Sequence, residues 1–462
     1  MKRSRARKGA LGTRFKRLAK MSTLTAKIAA TYLTFKSRTI FSNASRKEEL
    51  NREFEIKSAN QVVETLGQMR GVMMKLGQMA GYLDDGIPDN VKATLGALYN
   101  SVPPMTRELA EQTIEAELGA PLDSVFASFD LDPIAAASIG QVHRAITKSG
   151  NAVAVKIQYP DAASTMAADL ANTDAMSRII GLAFPSIDTK RVVSEIRERM
   201  LEELDYEIEA RNQLLFYNYY KGHPFIHIPR IYSELSSKRL LVTELVTGSS
   251  FDEAMTWSQH ERNLAAETIY RFVFGSLYRV AAFNGDPHPG NYIFHKAGRV
   301  TFLDFGLTKV FQPAHLFVFE SMIRTILIEP NPDEFRKVIE SAGLIPPDSP
   351  LATAEIVEYF EHFYAFLTSE EEVELSSEFA SAIFRHTFDV SSRIAKYIDV
   401  PEYFVIIQRI NLGLYALLAR LRAKANWRKI AEEIWTFVQG PPATPMGELE
   451  QKWLRDTGKR DW

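Results

Sequence analysis

One lysine, two aspartates and an asparagine are spaced in this chain as phosphoryl-transfer chemistry requires. The segment Asn284-Gly285-Asp286-Pro287-His288-Pro289-Gly290-Asn291 sets an Asp and an Asn five residues apart on a loop stiffened by proline and glycine. Leu303-Asp304-Phe305-Gly306 follows, with a second carboxylate 18 residues after Asp286 at the end of an apolar strand. Upstream, Ala152-Val153-Ala154-Val155-Lys156-Ile157 places one lysine in an alternating strand. Transfer of a phosphoryl group needs a cation on the phosphates, metal ligands, a covering loop and an acceptor for the nucleophile's proton. Lys156 can reach the α- and β-phosphates of ATP, Asn291 and Asp304 can hold Mg²⁺, and Asp286 can orient or deprotonate a hydroxyl or water. Of the three parts the Asp-to-Asn loop is by far the most specific; a strand lysine commonly snorkels to a surface, and Asp-Phe-Gly is frequent by chance. Their order on one chain is what chance seldom produces. His288 reads as a residue that packs and hydrogen-bonds within its loop.

These residues need elements to hold them. Strand-like runs occur at 125–129, 139–146 and 153–157, with Lys148-Ser149-Gly150-Asn151 as the turn of a hairpin. A long helical stretch covers 162–220, and 228–232 and 239–244 read as two more strands, giving a small lobe of five strands and one major helix. After Gly248 the pattern is helical, apart from strand-like pieces at 292–294 and 300–303. The expected fold is therefore α+β and protein-kinase-like: a small antiparallel-sheet lobe, a helical lobe and an N-terminal helical extension. The link near 244–248 makes Glu244 and Val246 nucleotide-binding candidates. Expected divisions are a basic arm and amphipathic helix (1–47), a helical extension (48–120), the small lobe (121–246), the helical lobe (247–440) and a loose tail (441–462) opened by prolines.

Composition bounds the partners. With 46% hydrophobic and 24% charged residues, a globular chain with a large core is expected. Residues 1–47 contain 14 Lys or Arg and no acidic residue, while the rest carries 41 basic against 57 acidic ones. Such an arm suits an anionic surface, and Leu24, Ile28, Tyr32 and Phe35 line one helical face within it. An anionic membrane bound through residues 1–41 is one reading; a basic face docked on the chain's own acidic body is the other. No aromatic stacking platform accompanies the charge, so no nucleic acid is expected. Without cysteine, disulfides and thiolate metal sites are excluded. No uninterrupted apolar run reaches spanning length, so a cytoplasmic location, peripheral on a membrane, is expected; the Arg-rich start also suits an organellar transit peptide.

The chain resembles the UbiB-like, or AarF-like, atypical kinases linked with isoprenoid quinone metabolism, over about residues 55–310. The motifs that carry the resemblance are Ala135-Ala136-Ala137-Ser138-Ile139-Gly140-Gln141-Val142, Met74-Lys75-Leu76-Gly77-Gln78 and Glu203-Leu204-Asp205-Tyr206. The resemblance implies that Ala135, Ala136, Ala137 and Ser138 cover the phosphates in place of a glycine-rich loop and alter nucleotide preference; alanines would keep that loop stiffer. It implies that Lys75, Gly77 and Gln78 lie on a helix across the active-site mouth, with Glu203 and Asp205 as partners for Lys75. It further implies that Glu209 clamps Lys156, a choice that spacing alone leaves open among Glu195, Glu198, Glu202 and Glu207. Two departures from ordinary protein kinases stand out. No His-Arg-Asp precedes the loop and no Ala-Pro-Glu follows Gly306, which speaks against phosphorylation of proteins in trans.

Three functions compete. The first is an ATP- or ADP-binding, Mg²⁺-dependent ATPase or kinase at a membrane, acting on or beside a quinone or prenyl lipid. The second is a small-molecule kinase, because the Asp-x-x-x-x-Asn loop also resembles that of aminoglycoside and choline kinases. The third is a nucleotide-gated lipid-binding scaffold without significant catalysis.

Overall fold

The computed structural model describes residues 104–137, 139–170, 202–387, 389 and 391–459. Over these residues the chain forms two compact units, one from Met1–Tyr206 with Glu234–Val242 and the other from Glu207–Ser233 with Thr243–Trp462.

The first unit is built on an antiparallel sheet. Its strands are β1 (Phe126–Phe129), β2 (Ala135–Ala137), β3 (Gly140–Thr147), β4 (Ala152–Gln158) and β6 (Leu240–Glu244), ordered β1-β3-β4-β6 with β2 also on β3. Alternation sets its two faces. Ala145, Val153, Val155 and Ile157 are buried, whereas Arg144, Ile146 and Ala152 point to solvent. Gly140 is required by close approach: a Cβ there would lie 2.0 Å from the Ile157 carbonyl oxygen. On the buried face, Gln141 accepts from the Met105 amide and donates to His143 Nε2 at 2.7 Å, and His143 Nδ1 donates to the Asp130 carbonyl at 2.9 Å. Burial lowers the His143 pKa, which keeps the imidazole neutral in this chain of bonds. The helix α1 (Arg107–Leu118) starts on Thr106, whose hydroxyl accepts from the Leu109 amide, and stops at Gly119 in the left-handed region.

The fifth strand differs from the expected one. Residues 228–232 contribute only a single bridge, Ile231 to Thr243, because Pro229 has no N–H to give a ladder. The alanine run, expected as a loop, supplies the missing strand by pairing Ala135 with Val142 and Ala137 with Gly140.

The second unit is centred on the 22-residue helix Gln259–Val280, with buried residues from Ala265 to Arg279. Around it lie a parallel pairing of β5 (Ile226–His227) with β9 (Val300–Phe302), the antiparallel pair of β8 (Tyr292–Phe294) and β9, and the two-stranded pair of β7 (Ala282–Asn284) and β10 (Thr308–Val310). The helical lobe continues through Pro313–Ile323, Pro332–Ser341, Thr353–Tyr364, Ser377–Thr387, Glu402–Arg420 and Trp427–Ile434. The kinase-like α+β class holds.

The tail does not behave as expected. Pro445–Thr457 is a helix whose Trp453 and Glu450 are buried. Arg271 reaches Glu450 at 2.9 Å and also contacts Glu267 and Glu433, while Arg279 reaches Glu450 at 2.7 Å and His223 reaches it at 3.3 Å. Once buried, charges of opposite sign must meet to offset desolvation, so the network fastens this helix to the central one. Prolines 441 and 442 precede the helix, and Pro445 occupies its first turn, where a missing N–H costs nothing.

Candidate active site

β7 and β10 bring the two acidic motifs together. Their register sets Thr308 opposite Asn284, so the chain leaving β7 towards Asp286 runs beside the chain leaving Asp304. The Gly285 amide donates to the Leu307 carbonyl at 2.6 Å. A Cβ on Gly285 would lie 2.9 Å from Leu307 Cγ and 3.0 Å from its carbonyl oxygen, so glycine is needed for this approach. The β8–β9 hairpin makes a second join, with the Leu303 amide on the Asn291 carbonyl at 3.0 Å.

Within the loop, Asn291 Nδ2 donates to the Asp286 carbonyl at 3.1 Å. That bond commits the amide nitrogen and turns the opposite atom, Oδ1, into the group that can meet a cation. His288 Nδ1 accepts from the Gly290 amide at 3.1 Å, a bond internal to the loop. The Asp286 charge is felt by Tyr292, whose phenol is pushed up by burial first and by Asp286 second. Asp304 Oδ1 accepts from the Gly306 amide at 2.9 Å, and Asn284 Nδ2 donates to the Asp304 carbonyl at 2.9 Å. The Phe305 ring is fully buried, 5.1 Å from the ring of Phe216.

The helix Tyr206–Tyr220 adds the third side of this region. Glu209 is 5% exposed, and its Oε2 would lie 3.8 Å from a Cβ placed on Gly306. One turn on, Asn212 Nδ2 donates to the Phe305 carbonyl at 2.9 Å. Asp286, Asn291, Asp304 and Glu209 are thus gathered within the second unit. The carboxylate of Asp304 and the amide oxygen of Asn291 are hard donors of the type Mg²⁺ takes, with phosphate oxygens and water completing its shell. Among the described residues, no group of three or more His, Asp or Glu is placed to hold a metal by itself.

Lys156 belongs to the first unit. Register places Ala135, Val142 and Lys156 side by side across β2, β3 and β4, and directly opposed residues share a face of the sheet. Only partly buried, Lys156 holds its Nζ 4.9 Å above the Tyr206 ring centroid. Glu203 and Asp205 lie just before Tyr206 in the chain. The Glu203 carbonyl accepts from Gln158 Nε2 at 3.3 Å, and Asp205 meets Lys238 at 3.4 Å. Ser138, Lys75, Gly77 and Gln78 lie outside the described residues, as do the basic arm and amphipathic helix expected at 1–47 and most of the helical extension expected at 48–120.

At the end of β6, Glu244 is occupied on several sides. Its amide donates to the Arg230 carbonyl at 2.8 Å and its Oε2 accepts from the Arg230 amide at 3.2 Å. His227 lies 3.5 Å from Oε1, and that contact leads the causes that hold the Glu244 carboxyl below its ordinary range. Val246 sits half-buried in the segment that follows.

This arrangement matches a known group. The model of the ABC1 atypical kinase-like domain aligns with residues 97–338, just over half of the chain. The chain belongs to the ABC1 atypical kinase-like family. Similar members of this family include the AarF domain-containing protein kinase 1 of Gallus gallus, 32% identical over 305 residues that cover 64% of this chain and 58% of that protein. The protein of the same name from Xenopus laevis is 26% identical over 451 residues, covering 91% and 85%. Among solved structures, the complex of Rv3197 with erythromycin from Mycobacterium tuberculosis superposes with a TM-score of 0.61 and 30% identity, covering 84% of this chain and 98% of that one. The AarF names agree with the resemblance carried by the motifs. The chain therefore matches less than two thirds of the chicken relative's length.

Sequence reading of this ABC1-family chain missed two residues that touch the Asp304-Phe305-Gly306 segment, Asn212 and Asn284. Asn284 stood in a quoted motif but carried no role. Asn212 had a signal only in hindsight of Glu209: three residues later, it falls on the same helical face.

Proposed function

We propose that this protein is a Mg²⁺-dependent ATPase or atypical kinase working at a membrane surface, on or beside an isoprenoid quinone or other prenyl lipid. The observation that carries the reading is the joining of Asp286, Asn291 and Asp304 by the β8–β9 hairpin and the β7–β10 pair. In this reading Asp286 accepts the proton of an attacking hydroxyl or water, and the oxygens of Asn291 and Asp304 hold the cation. Mg²⁺, when bound with ATP, neutralises phosphate charge. Lys156 binds the phosphates, while Ala135, Ala136, Ala137 and Ser138 cover them. Glu244 and Val246 border the base, and Lys75, Gly77 and Gln78, partnered by Glu203 and Asp205, guard the mouth.

The shared sheet face of Ala135 and Lys156 supports a common ligand for them. The next helix begins at Pro313, only three residues after Val310, and so short a segment favours a lipid or water acceptor over a peptide. No helix among the described residues is long and apolar enough to cross a membrane, so attachment is assigned to the basic residues 1–41.

Release of ADP from full-length protein tests the reading, with and without vesicles containing anionic lipid. Stimulation by the vesicles, abolished by Asp304→Asn and lost on deleting residues 1–41, is expected. Turnover indifferent to both lipid and deletion would refute the membrane role, and turnover indifferent to Asp304→Asn would refute the enzyme.

One observation favours a second reading, a kinase of small hydroxylated molecules: the structural neighbour was solved with erythromycin. ADP release stimulated by erythromycin, with no response to lipid, would select it.

A further inference from the structure

Each residue from Leu303 to Leu307 has a backbone group held by a hydrogen bond. The Leu303 amide is on the Asn291 carbonyl, the Asp304 carbonyl on Asn284, and the Phe305 carbonyl on Asn212 and on the Thr308 hydroxyl. The Gly306 amide is on the Asp304 carboxylate and the Leu307 carbonyl on the Gly285 amide. Two of these anchors are side-chain amides brought from separate elements to consecutive carbonyls, both at 2.9 Å.

The cost of one of them is informative. Asn284 Oδ1 is buried with no hydrogen-bond partner among the described residues, and such an orphan acceptor is destabilising. What offsets that cost is the bond from its Nδ2 that holds the Asp304 carbonyl. Asn212 works from the other side. Its helix meets the segment at three successive points on one face: Glu209 beside Gly306, the Asn212 amide on Phe305, and the Phe216 ring on the Phe305 ring.

We infer that Asn212 and Asn284 are positioning residues, a pair of amide clamps that fix the Asp304-Phe305-Gly306 backbone in the conformation that presents the Asp304 carboxylate to a metal–nucleotide. Asn284 ties that conformation to the Asp286 loop and Asn212 ties it to the helix of Glu209. The clamp is a property of the backbone alone; its consequence for binding rests on the reading of Asp304 as a Mg²⁺ ligand.

Hydrogen exchange on the full-length protein tests the clamp without reference to activity. Asn212→Leu and Asn284→Leu keep the branched shape and remove the donor. Amides of residues 303–308 are expected to exchange about tenfold faster in each, the equivalent of one net hydrogen bond, with β8 and β9 unchanged. Asn284→His, which retains an N–H, should stay near the parent. In parallel, the Mg²⁺ concentration that half-saturates ADP binding should rise about tenfold in both Leu variants, with metal-free ADP binding unchanged. Unchanged exchange at 303–308, or faster exchange throughout the second unit, overturns the inference. If Asp304→Asn shifts the Mg²⁺ dependence and the Leu variants do not, the positioning role is wrong while the function stands. If Asp304→Asn also leaves it unshifted, the metal reading itself falls and takes the positioning role with it.

Discussion

The residues that do the proposed chemistry were visible because their spacing is short-range information. Asp286 and Asn291 share one loop, and the hydrogen bond between them spans five residues. Asn212 lies 93 residues from the carbonyl it holds, and nothing in its local pattern could reveal that. If Asp286 takes the nucleophile's proton, Asp286→Asn should lower kcat by about 10²- to 10⁴-fold with nucleotide affinity retained; single-turnover ADP release read beside equilibrium binding checks this. Gly285→Ala is a different probe. The added methyl meets Leu307 at 2.9–3.0 Å, so about 1–3 kcal/mol of stability should be lost. A denaturation midpoint moved less than that predicts would show that the two segments can part easily.

At the scale of elements, hydrophobic period located most strands and helices, and the exceptions have physical causes. Pro229 removed an expected strand, and alanines with little β preference became one by pairing with β3, Ala135 opposite Val142 and Ala137 opposite Gly140. The final helix was hidden because its attachment is ionic. Burial by itself would push the Glu450 carboxyl up, but Arg279, His223 and Arg271 outweigh it and hold the group well below the ordinary range. A folded-state pKa below the unfolded one gives stability that is present above the unfolded value, near 4.5, and is lost as pH falls through the folded value. The second unit should therefore weaken as pH drops below about 4.5, more steeply than Glu450→Gln does. Glu450→Ala leaves Arg271 and Arg279 short of a buried partner, and about 3–5 kcal/mol should be lost at neutral pH. Calorimetry of both variants across pH gives the comparison.

At the scale of the whole molecule, charge and buried histidine set different dependences. A basic arm on an anionic membrane is screened by salt, so vesicle binding should weaken between low and physiological ionic strength and be absent without residues 1–41; co-sedimentation reads both. Binding unaffected by salt would point to apolar attachment instead. In the first unit, His143 is held below its ordinary pKa of 6.5 by burial. Its contribution is full above that value and declines as pH falls below it, because the unfolded chain takes up the proton first. His143→Gln should flatten that decline, read as the unfolding midpoint of the full chain at pH 7 and pH 5.5.

The sequence determined the fold class, the ABC1-type motifs and the identity of Lys156, Asp286, Asn291 and Asp304 as chemically apt residues, since periodicity and motif spacing are carried by near neighbours in the chain. Tertiary structure alone decided that an alanine run is a strand, that a proline-flanked tail is a buried helix, and that two asparagines from distant elements hold the segment of Asp304. Each of those outcomes depends on which carbonyl or charge meets a group across the fold. Buried polar groups must find partners, but where the partner comes from is settled only once the chain has packed.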